Sequence, residues 1–446
     1  MHIKSQKFLI LGASKSGFAV AKYIYDAGGT CSVLEELNSE KAQMAKSKLI
    51  EMGVDCVSRE RVEENLDFYD IVVLSPGVPI NHEIAVRAKQ LGKRIIGELE
   101  FGYLQFLPTM IAVTGTNGKT TTVSLINEIL THAGLNNKLV GNVGIPLTQK
   151  IDEISKDCVC IVETSSFQLE SVFSFCPHIA CILNIAPDHL ERHYTMENYV
   201  FLKKRIFKNQ RESEFTVLNY DDQTVKSFFT ETNGKVVWIS AKEKVDGAYL
   251  ENGKFYYKGE YIVDERELRL KGEHNAYNAL FAIACAKLLK IETSTLAESI
   301  KTFNGVKHRI EFVANKGGVD YYNDSKATNT ASTISALSTM VKPTVLILGG
   351  SEKGEDYTAL FEKVKVSAIK HVVLTGATRY NLLEVASRLG IYNLTVTEKF
   401  DCAVKIASMY AQSGDCVLLS PACASYDAFS GFEERGDAFV KLVGEL

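Results

Sequence analysis

Residues 110–122, Met-Ile-Ala-Val-Thr-Gly-Thr-Asn-Gly-Lys-Thr-Thr-Thr, decide the fold. Their apolar start predicts a buried strand, Gly115 and Gly118 predict a tight loop, and Lys119-Thr120 begins a helix. Backbone N–H groups of such a loop and the positive end of the helix can surround a polyphosphate, while the lysine offsets its charge and the threonine hydroxyl reaches Mg²⁺. The strict P-loop pattern has glycine where this chain has Val113. The stretch predicts a nucleotide-binding domain, with a plain strand-to-helix connection as the alternative.

Length and composition limit the classes of protein. A chain of 446 residues is too long for one core and suggests about three domains. The net charge of −4 gives no overall basic field for nucleic acid or an anionic membrane, so we expect small-molecule partners. No apolar stretch approaches the roughly 18 residues of a membrane span, and no signal peptide is evident, which predicts a cytoplasmic protein, expected to be a monomer. The 10 cysteines lack a CxxC pair, which favours buried thiols over disulfides or zinc.

Residues 1–108 have the pattern of a Rossmann-like domain with a doubly wound parallel sheet. Residues 7–12 read as a buried strand, and residues 12–17 as a turn before a helix over 18–27. The turn lacks the GxGxxG spacing, so we expect no nicotinamide dinucleotide; another nucleotide phosphate and a purely structural turn both stay open. Further strands end at residues 75–79 and 97–100, at the edge where open α/β sheets bind ligands.

Residues 109–308 are predicted to form the central domain. Two of its strands end at Glu163 and at Asp188-His189, on the same sheet edge as the phosphate loop. A carboxylate and an imidazole there are candidate ligands for the Mg²⁺ of a nucleotide, with a structural histidine as the alternative. Residues 215–270 suggest an antiparallel lobe rather than another βαβ repeat. A helix over 272–289 begins with two asparagines that either cap it or contact a purine.

Residues 309–446 predict a second Rossmann-like α/β domain. Its strands end in polar groups at Asp324-Ser-Lys-Ala-Thr-Asn329, at residues 349–354, at Thr375-Gly376 and at residues 420–427. Because parallel strands present their carboxyl ends at one edge, these groups are expected to meet. The chain as a whole therefore predicts three α/β domains, the central one of P-loop ATPase type.

With these motifs in hand, the chain resembles the Mur ligases, the ATP-dependent amide ligases that build the peptidoglycan stem peptide. The resemblance covers the whole length and rests on Gly-Thr-Asn-Gly-Lys-Thr at 115–120, on Asn-Asp-Ser-Lys-Ala-Thr-Asn at 323–329, and on Glu163 and His189. Within the family, residues 419–436 are similar to the C-terminal signature of the member that adds D-glutamate to UDP-N-acetylmuramoyl-L-alanine.

This resemblance implies an activity and a role for each of the three domains. The first domain would hold the UDP end of the precursor, the second Mg-ATP, and the third the incoming D-glutamate. The substrate carboxylate would attack the γ-phosphate to give an acyl phosphate, which the amine then displaces. ATP and Mg²⁺ are the implied cofactors, the two substrates are the implied partners, and cell wall biogenesis, cell shape and cell division are the implied processes.

The resemblance also implies roles for single residues. The catalytic set is Lys119, Glu163, His189 and Lys203, and the metal ligands are Thr120, Glu163, His189 and Lys203. ATP contacts are Gly115, Thr116, Asn117, Gly118, Lys119, Thr120 and Thr121, with Asn275 and Asn278 at adenine, Asp324 at the ribose, and Arg309 and Lys326 at the phosphates. UDP-substrate contacts are Ser14, Lys15, Ser16, Ser75, Gly77, Asn142, Ser165 and His189. D-glutamate contacts are Thr328, Lys353, Ser425 and Phe432.

Lys203 matches the lysine that Mur ligases carry as a carbamate, a modification that would turn it into an anionic metal ligand. The alternative is a cationic Lys203 that pairs with substrate phosphate. The chain departs from the family pattern in two places: Ser351 stands where an aspartate is frequent, and Glu36-Leu37 where some members have Thr-Arg.

Two other functions compete with this interpretation. Folylpolyglutamate synthase shares the ATP domain and the acyl-phosphate chemistry, but it lacks an N-terminal nucleotide domain, so residues 1–107 argue against it. A P-loop switch protein would need only residues 109–300, which leaves Asp324, Lys326 and the loop at Ser425 unexplained.

Overall fold

The structure, a computed structural model, describes residues 1–38, 40–106, 108–142, 145–270, 272–352 and 354–446. It divides into two compact units, Met1–Phe303 and Asn304–Leu446. The first unit contains two sheets and the second contains one, and helices connect the strands of all three. The predicted fold class is therefore confirmed, whereas the domain boundaries at 108 and 308 stay predictions. Lys353 lies outside the described residues.

The first sheet has five parallel strands in the order β3-β2-β1-β4-β5. Apart from the exposed Lys7, its central strands β1 and β4 are apolar and buried because helices cover both faces. The first helix begins at Lys15, three residues before the predicted start, because Ser14 is already its N-cap. The strands are β1 (Lys7–Leu11), β2 (Thr30–Leu34), β3 (Asp55–Cys56), β4 (Ile71–Leu74) and β5 (Arg94–Gly97), and the helices are α1 (Lys15–Asp26), α2 (Glu40–Glu51), α3 (Arg59–Glu64), α4 (Glu83–Gln90) and α5 (Glu98–Gln105).

The second sheet has nine strands in the order β14-β13-β12-β11-β10-β9-β6-β8-β7. The strand before the phosphate loop, β6, lies between β8 and β9 and is almost wholly buried. The strands are β6 (Thr109–Thr114), β7 (Asn137–Gly141), β8 (Val159–Glu163), β9 (Ile179–Ile182), β10 (Phe215–Asn219), β11 (Lys235–Ser240), β12 (Gly247–Glu251), β13 (Lys254–Tyr257) and β14 (Glu260–Asp264). The helices are α6 (Lys119–His132), α7 (Ser166–Leu169), α8 (Leu190–His193), α9 (Met196–Lys204), α10 (Gln223–Ser227), α11 (Glu273–Leu288) and α12 (Thr293–Thr302).

The predicted antiparallel lobe over 215–270 is wrong for its first half. Strands β10, β11 and β12 continue the sheet in parallel from β9, and α10 forms part of the connection between β10 and β11. Only β13 and β14 run antiparallel to their neighbours. The buried run of β10 is typical of a parallel strand. The prediction was wrong because buried and less buried residues alternate in β11, a pattern that is also typical of antiparallel strands.

Two buried glutamates join the first sheet to the second. Glu98 accepts a hydrogen bond from the amide of Thr148, 2.8 Å away. Glu100 accepts three, from the amides of Phe173, Ser174 and Phe175, at 2.7–3.1 Å. The segment 97–100 was expected at a ligand-binding edge. Two of its side chains instead bind backbone amides at residues 148 and 173–175.

The sheet of the second unit has six strands in the order β15-β16-β20-β17-β18-β19, all parallel except the edge strand β15. None of the described helices in either unit is long and apolar enough to cross a membrane. The strands are β15 (Glu311–Lys316), β16 (Val319–Asn323), β17 (Thr344–Gly349), β18 (Ile369–Thr375), β19 (Leu394–Val396) and β20 (Cys416–Leu419), and the helices are α13 (Thr330–Leu337), α14 (Thr358–Val366), α15 (Arg379–Arg388), α16 (Phe400–Tyr410) and α17 (Phe432–Gly444).

Candidate functional site

The phosphate loop is shaped by two glycines between β6 and α6. Gly115 and Gly118 have φ of 152° and 83°, a region that residues with a Cβ rarely adopt. A Cβ on Gly118 would lie 2.5 Å from the side-chain oxygen of Asn278, and one on Gly115 would lie 2.9 Å from Cβ of Leu183. The loop is therefore pressed against α11 and the end of β9, and its sequence leaves no room for larger residues.

The loop is also fastened to the segment after β9. The Thr116 hydroxyl donates to the carbonyl of Ala186 at 3.1 Å and accepts from its amide at 3.0 Å. The amide of Asn117 donates to Oδ1 of Asn184 at 2.8 Å. These bonds fix the loop relative to the strand end that carries Asp188 and His189. Thr116 and Asn117, predicted to contact ATP, thus also shape the site.

Two lysines converge on the phosphate loop from different helices. Nζ of Lys119 donates to the carbonyls of Gly115 and Thr116 at 2.8 and 2.7 Å. Nζ of Lys203, on α9, donates to the same Gly115 carbonyl at 2.8 Å. Lys203 is buried, and burial together with the charge of Lys119 lowers its pKa to about 7, although Asp188 and Glu163 act in the opposite direction. The site thus contains an amine that loses its proton far more readily than an exposed lysine.

Glu163 is the last residue of β8 and is buried beside this lysine pair. Its Oε1 accepts from Nδ2 of Asn142 at 2.8 Å. Its Oε2 is buried and accepts no hydrogen bond from the described residues. A buried carboxylate oxygen without a partner is costly unless a ligand completes it. The structure thus brings Glu163 together with Asn142, which the family resemblance assigns to the muramoyl substrate.

His189 stands at the start of α8 in a left-handed conformation, with φ of 53°. Its amide donates to Oδ1 of Asp188 at 3.1 Å, and its ring lies against Phe167, with centroids 4.9 Å apart. Non-glycine residues with such backbone angles are uncommon and cluster at functional sites. Ser165 caps the neighbouring α7 in a capping box with Gln168. The predicted substrate and metal residues on these loops are therefore close neighbours.

The residues predicted to contact adenine lie in the first two turns of α11. Asn275 and Asn278 are buried, and Nδ2 of Asn278 donates to Oδ1 of Asn275 at 3.1 Å. Oδ1 of Asn278 accepts from the Thr122 hydroxyl at 3.1 Å, which joins α11 to the helix of the phosphate loop. Thr120 and Thr121 lie in the first turn of that helix, with Thr120 buried. The asparagines therefore have a structural task beside any contact with a nucleotide.

The residues predicted to bind the UDP end lie at the carboxyl edge of the first sheet. Ser14, Lys15 and Ser16 form the N-terminal end of α1, and Ser75 donates from its hydroxyl to the carbonyl of Gly12 at 2.8 Å. A Cβ on Gly17 would overlap that same carbonyl oxygen, so glycine is required there. Glu36, which departs from the family pattern, contacts a neighbouring side chain of the same domain: its carboxylate lies 2.7 Å from Nε2 of His82.

An arginine that sequence reasoning missed connects the first sheet to the central site. Arg192, on α8, forms a bidentate pair with the buried Glu170, at 3.0 and 2.7 Å. Its two Nη atoms also donate to the carbonyls of Gly77 and Val78, at 3.3 Å each. The only indication in the sequence is that Arg192 lies three residues after His189, because the partners of Arg192 are distant in sequence. We name this arrangement, Arg192 with Glu170, Gly77 and Val78, the arginine clamp.

The predicted ATP residues of the second unit lie around the end of β16. Asp324 is buried, its Oδ2 accepts from the hydroxyl of Ser420 at 2.7 Å, and its Oδ1 accepts from the amide of Ile310 at 3.2 Å. Burial raises the pKa of Asp324 to about 7. Nζ of Lys326 lies 5.8 Å from the ring centroid of Phe432. Arg309 lies beside this group, within electrostatic reach of Asp324.

A second missed residue, Arg435, organises the loops predicted to bind D-glutamate. It is fully buried on α17, and its guanidinium donates to the carbonyls of Ser325, Cys423 and Ala424 at 2.9–3.1 Å. It thereby joins the loop after β16, which leads to Thr328, to the loop after β20, which carries the buried Ser425. The structure brings Thr328, Ser425 and Phe432 into one unit, and Ser351 forms a hydrogen bond with Asp427.

Comparisons with known proteins agree across the whole chain. Three family models match consecutive regions: the Mur ligase MurD-like N-terminal domain at 6–97, the Mur ligase middle domain at 113–286, and the Mur ligase glutamate ligase domain at 308–423. Curated relatives include the UDP-N-acetylmuramoylalanine–D-glutamate ligases of Caldanaerobacter subterraneus subsp. tengcongensis, 39% identical over 449 residues, and of Clostridioides difficile, 40% identical over 451 residues. Each alignment covers 100% of both chains.

Solved structures share the fold at lower identity. The UDP-N-acetylmuramate-alanine ligase MurC of Thermotoga maritima has a TM-score of 0.56 at 19% identity and covers 99% of both chains. MurF of Acinetobacter baumannii has a TM-score of 0.58 at 17% identity and covers 98% of this chain and 93% of its own. The resemblance inferred from the motifs is therefore confirmed by independent means: this chain belongs to the Mur ligase family.

Proposed function

We propose that this enzyme joins D-glutamate to UDP-N-acetylmuramoyl-L-alanine at the expense of ATP, in the synthesis of peptidoglycan precursors. Relatives that carry this activity in their names align with the chain from end to end at about 40% identity. The observation that carries the chemistry is the arrangement around Gly115, where Lys119 and Lys203 meet beside Glu163, whose buried Oε2 accepts no hydrogen bond from the part of the chain that the structure describes.

The proposed reaction has two steps. A carboxylate oxygen of the substrate attacks the γ-phosphorus of ATP, an O–P bond forms, and ADP leaves with the cleaved bond's electron pair. The amine of D-glutamate then attacks the acyl carbon, and phosphate leaves from the tetrahedral intermediate as the amine loses a proton. Neither step needs a protein nucleophile, so the enzyme's contribution is position and charge. Lys119, half-buried at the phosphate loop, would stabilise charge that spreads over the transferred phosphoryl group.

The residues present fit a divalent cation such as Mg²⁺. Oε2 of Glu163 is buried without a partner among the described side chains, and the buried Thr120, in the first turn of α6, would be the hydroxyl ligand of a phosphate-bound ion. In the described part of the chain, no three His, Cys, Asp or Glu side chains form a complete metal site. A cation held by Glu163, Thr120, His189 and a carbamylated Lys203 would therefore depend on phosphate oxygens and water as further ligands, and it would supply charge neutralisation.

The same proposal assigns the substrates to the loops described above. Residues 14–16 with Ser75 and Gly77 would hold the UDP end, and Asn142, Ser165 and His189 the muramoyl end. Asn275 and Asn278 would contact adenine, Asp324 the ribose, and Arg309 and Lys326 the phosphates of ATP. Thr328, Lys353, Ser425 and Phe432 would hold D-glutamate.

The test is phosphate release in the presence of different substrate sets. We expect release only when ATP, a UDP-N-acetylmuramoyl-L-alanine acceptor and D-glutamate are all present, and little release with L-glutamate or with the unsubstituted UDP-N-acetylmuramic acid. A folate acceptor serves as the negative control for the folylpolyglutamate alternative. Turnover with that acceptor, or phosphate release that ignores the amino acid, would overturn the proposed function.

A further inference from the structure

His193, the last residue of α8, is almost completely buried beside the site. It is 1% exposed, and its Nε2 lies 2.9 Å from the hydroxyl of Ser166, the first residue of α7. Its Nδ1 forms no hydrogen bond within the described part of the chain, but it lies 3.5 Å from Oε1 of Glu170. The hydroxyl on one ring nitrogen and the carboxylate near the other fix the orientation of the imidazole.

A serine, a histidine and an acidic residue in this order act as nucleophile, base and orienting group in hydrolases. Here Ser166 is 2% exposed, so its Oγ is closed to a substrate. Burial also lowers the pKa of His193 and favours the neutral ring, although the Glu170 carboxylate acts in the opposite direction. The three side chains therefore fix the structure of the site rather than carry out a reaction of their own.

The ring of His193 also joins two aromatic side chains that contact different parts of the site. The first is Phe167, with centroids 5.4 Å apart, and the same Phe167 ring lies 4.9 Å from that of His189. The second is Tyr199 of α9, with centroids 5.5 Å apart. The Tyr199 hydroxyl forms a hydrogen bond of 3.1 Å with the Thr116 hydroxyl in the phosphate loop. His193 is thus packed against one side chain that touches His189 and against another that touches the phosphate loop.

The backbone around His193 is fixed as well. Helix α8 has only four residues, and the residues that flank it, His189 and Tyr194, have φ of 53° and 66°. Non-glycine residues keep such angles where the surrounding contacts determine them. The carbonyl of His193 accepts from the amide of Thr195 at 2.8 Å and from Nδ2 of Asn198 at 3.0 Å. Both ends of the short helix therefore hold the ring in place relative to His189.

We propose that His193 is a positioning residue that sets Ser165 and His189 relative to the phosphate loop. It acts on Ser165 through the neighbouring Ser166 and on His189 through Phe167. The inference rests on the proposed function, which puts the muramoyl end of the acceptor at Ser165 and His189 and the phosphates of ATP at the loop. Reacting atoms must lie about 3–3.5 Å apart, so a displacement between the two substrates lowers the rate more than it lowers either affinity.

The test combines steady-state phosphate release with calorimetric titration of the acceptor in the absence of ATP. His193→Phe keeps an aromatic ring but loses the bond to Ser166, and we expect kcat to fall at least about tenfold. KM for ATP and Kd for UDP-N-acetylmuramoyl-L-alanine should each change less than about threefold. His193→Gln should recover much of the lost kcat, because its side-chain amide can present a donor or an acceptor where Nε2 lies.

A double-mutant cycle tests the bond itself. Ser166→Ala should also lower kcat about tenfold, and its combination with His193→Phe should be about as slow as the slower single variant, because both changes remove the same interaction. The matched control is His371→Phe with Thr395→Ala in the second unit. There another buried histidine bonds a hydroxyl through Nε2, at 2.9 Å, and stacks on Tyr410. The control should change kcat less than about twofold.

Three results would overturn the proposal: an unchanged kcat in His193→Phe, losses that multiply in the double variant, or a loss in His193→Gln as large as in His193→Phe. A raised Kd for the acceptor with unchanged kcat would also overturn it. Circular dichroism at the assay temperature checks folding, and if His193→Phe unfolds, Ser166→Ala decides by the same kcat criterion. A wild type that turns over a different acceptor would overturn the proposed function alone, because the same ratios are then measured with that acceptor.

Discussion

Lys119 and Lys203 donate to the same acceptor, the carbonyl oxygen of Gly115, each with Nζ 2.8 Å from it. Two ammonium groups on one carbonyl repel each other, and this contributes, after burial, to the lowered pKa of Lys203. Lys203 is therefore the lysine of this pair whose lowered pKa favours loss of its proton. Under the proposed function, the pair would separate two tasks: neutralisation of phosphate and reaction as a free amine.

Lys119→Ala should abolish turnover, because it removes the cation that offsets the phosphate charge at the helix start. We expect kcat to fall more than tenfold, equivalent to at least about 1.4 kcal/mol of transition-state stabilisation. Steady-state phosphate release measures it. Lys204→Ala, which removes an ion pair with Glu231 and a contact with the Phe228 ring but no contact with the phosphate loop, is the control and should change kcat less than twofold. Retention of more than a tenth of wild-type kcat by Lys119→Ala would contradict its role.

Lys203→Ala should lose most activity and regain part of it in the presence of formate or acetate. The reason is that a carbamylated lysine presents a carboxylate-like group, which a small carboxylate can replace in the cavity left by the shortened side chain. The measurement is phosphate release across a carboxylate series, with methylamine and ethylamine as the comparison. Rescue by the amines alone would instead establish a cationic Lys203 that pairs with phosphate.

Arg192→Ala should raise KM for the UDP substrate about tenfold, or about 1.4 kcal/mol, while KM for ATP changes little. The arginine clamp holds the carbonyls of Gly77 and Val78, and hence the loop proposed to contact the UDP end. Arg192→Lys should recover only part of the affinity, because lysine lacks the bidentate fork that pairs with Glu170. Arg61→Ala, which breaks an exposed pair with Asp55, is the control. A lowered kcat with unchanged KM values would show that the clamp does not position this loop.

Asp324→Asn should stabilise the second unit more at pH 8 than at pH 5. The ordinary aspartate pKa is about 3.9, whereas burial raises the pKa of Asp324 to about 7. Between these values the native state binds more protons than the unfolded state, so the carboxyl lowers stability as pH rises through that window. The variant cannot titrate and escapes this loss. The measurement is the calorimetric Tm of the variant and of the wild type at pH 5 and at pH 8. Asp356→Asn, at an exposed position, is the control. A Tm difference between Asp324→Asn and wild type that is equal at the two pH values would refute the raised pKa of Asp324.

The site could be predicted from the sequence wherever chemistry follows directly on a strand. Glu163 and His189 were found because buried apolar runs end next to them, and parallel strands present those ends at one edge. Asn142 was placed through the family pattern, and its bond to Glu163 accords with that placement. The general architecture was accessible for the same reason, since apolar runs alternate with helices throughout the chain.

Arg192 and Arg435 could not be found in this way. Both donate to backbone carbonyls, which any sequence supplies. The carbonyls of Gly77 and Val78 lie 115 and 114 positions from Arg192, and that of Ser325 lies 110 positions from Arg435. Glu98 was placed at a ligand-binding edge for a related reason: a polar residue after a strand predicts a site equally well whether its partner is a substrate or an amide of the protein. Only the three-dimensional contacts distinguish the two.

The bonds from Glu98, Glu100 and the arginine clamp to the central region make the first unit a molecular ruler. Under the proposed assignment, they fix the span between the loop that holds the uridine end and the phosphate loop. An acceptor longer by one amino acid adds about 3.5 Å, which equals the whole attack distance of about 3–3.5 Å. Its carboxylate would overshoot the γ-phosphate, so acceptor length itself becomes a criterion of selection, independent of any contact with the added residue.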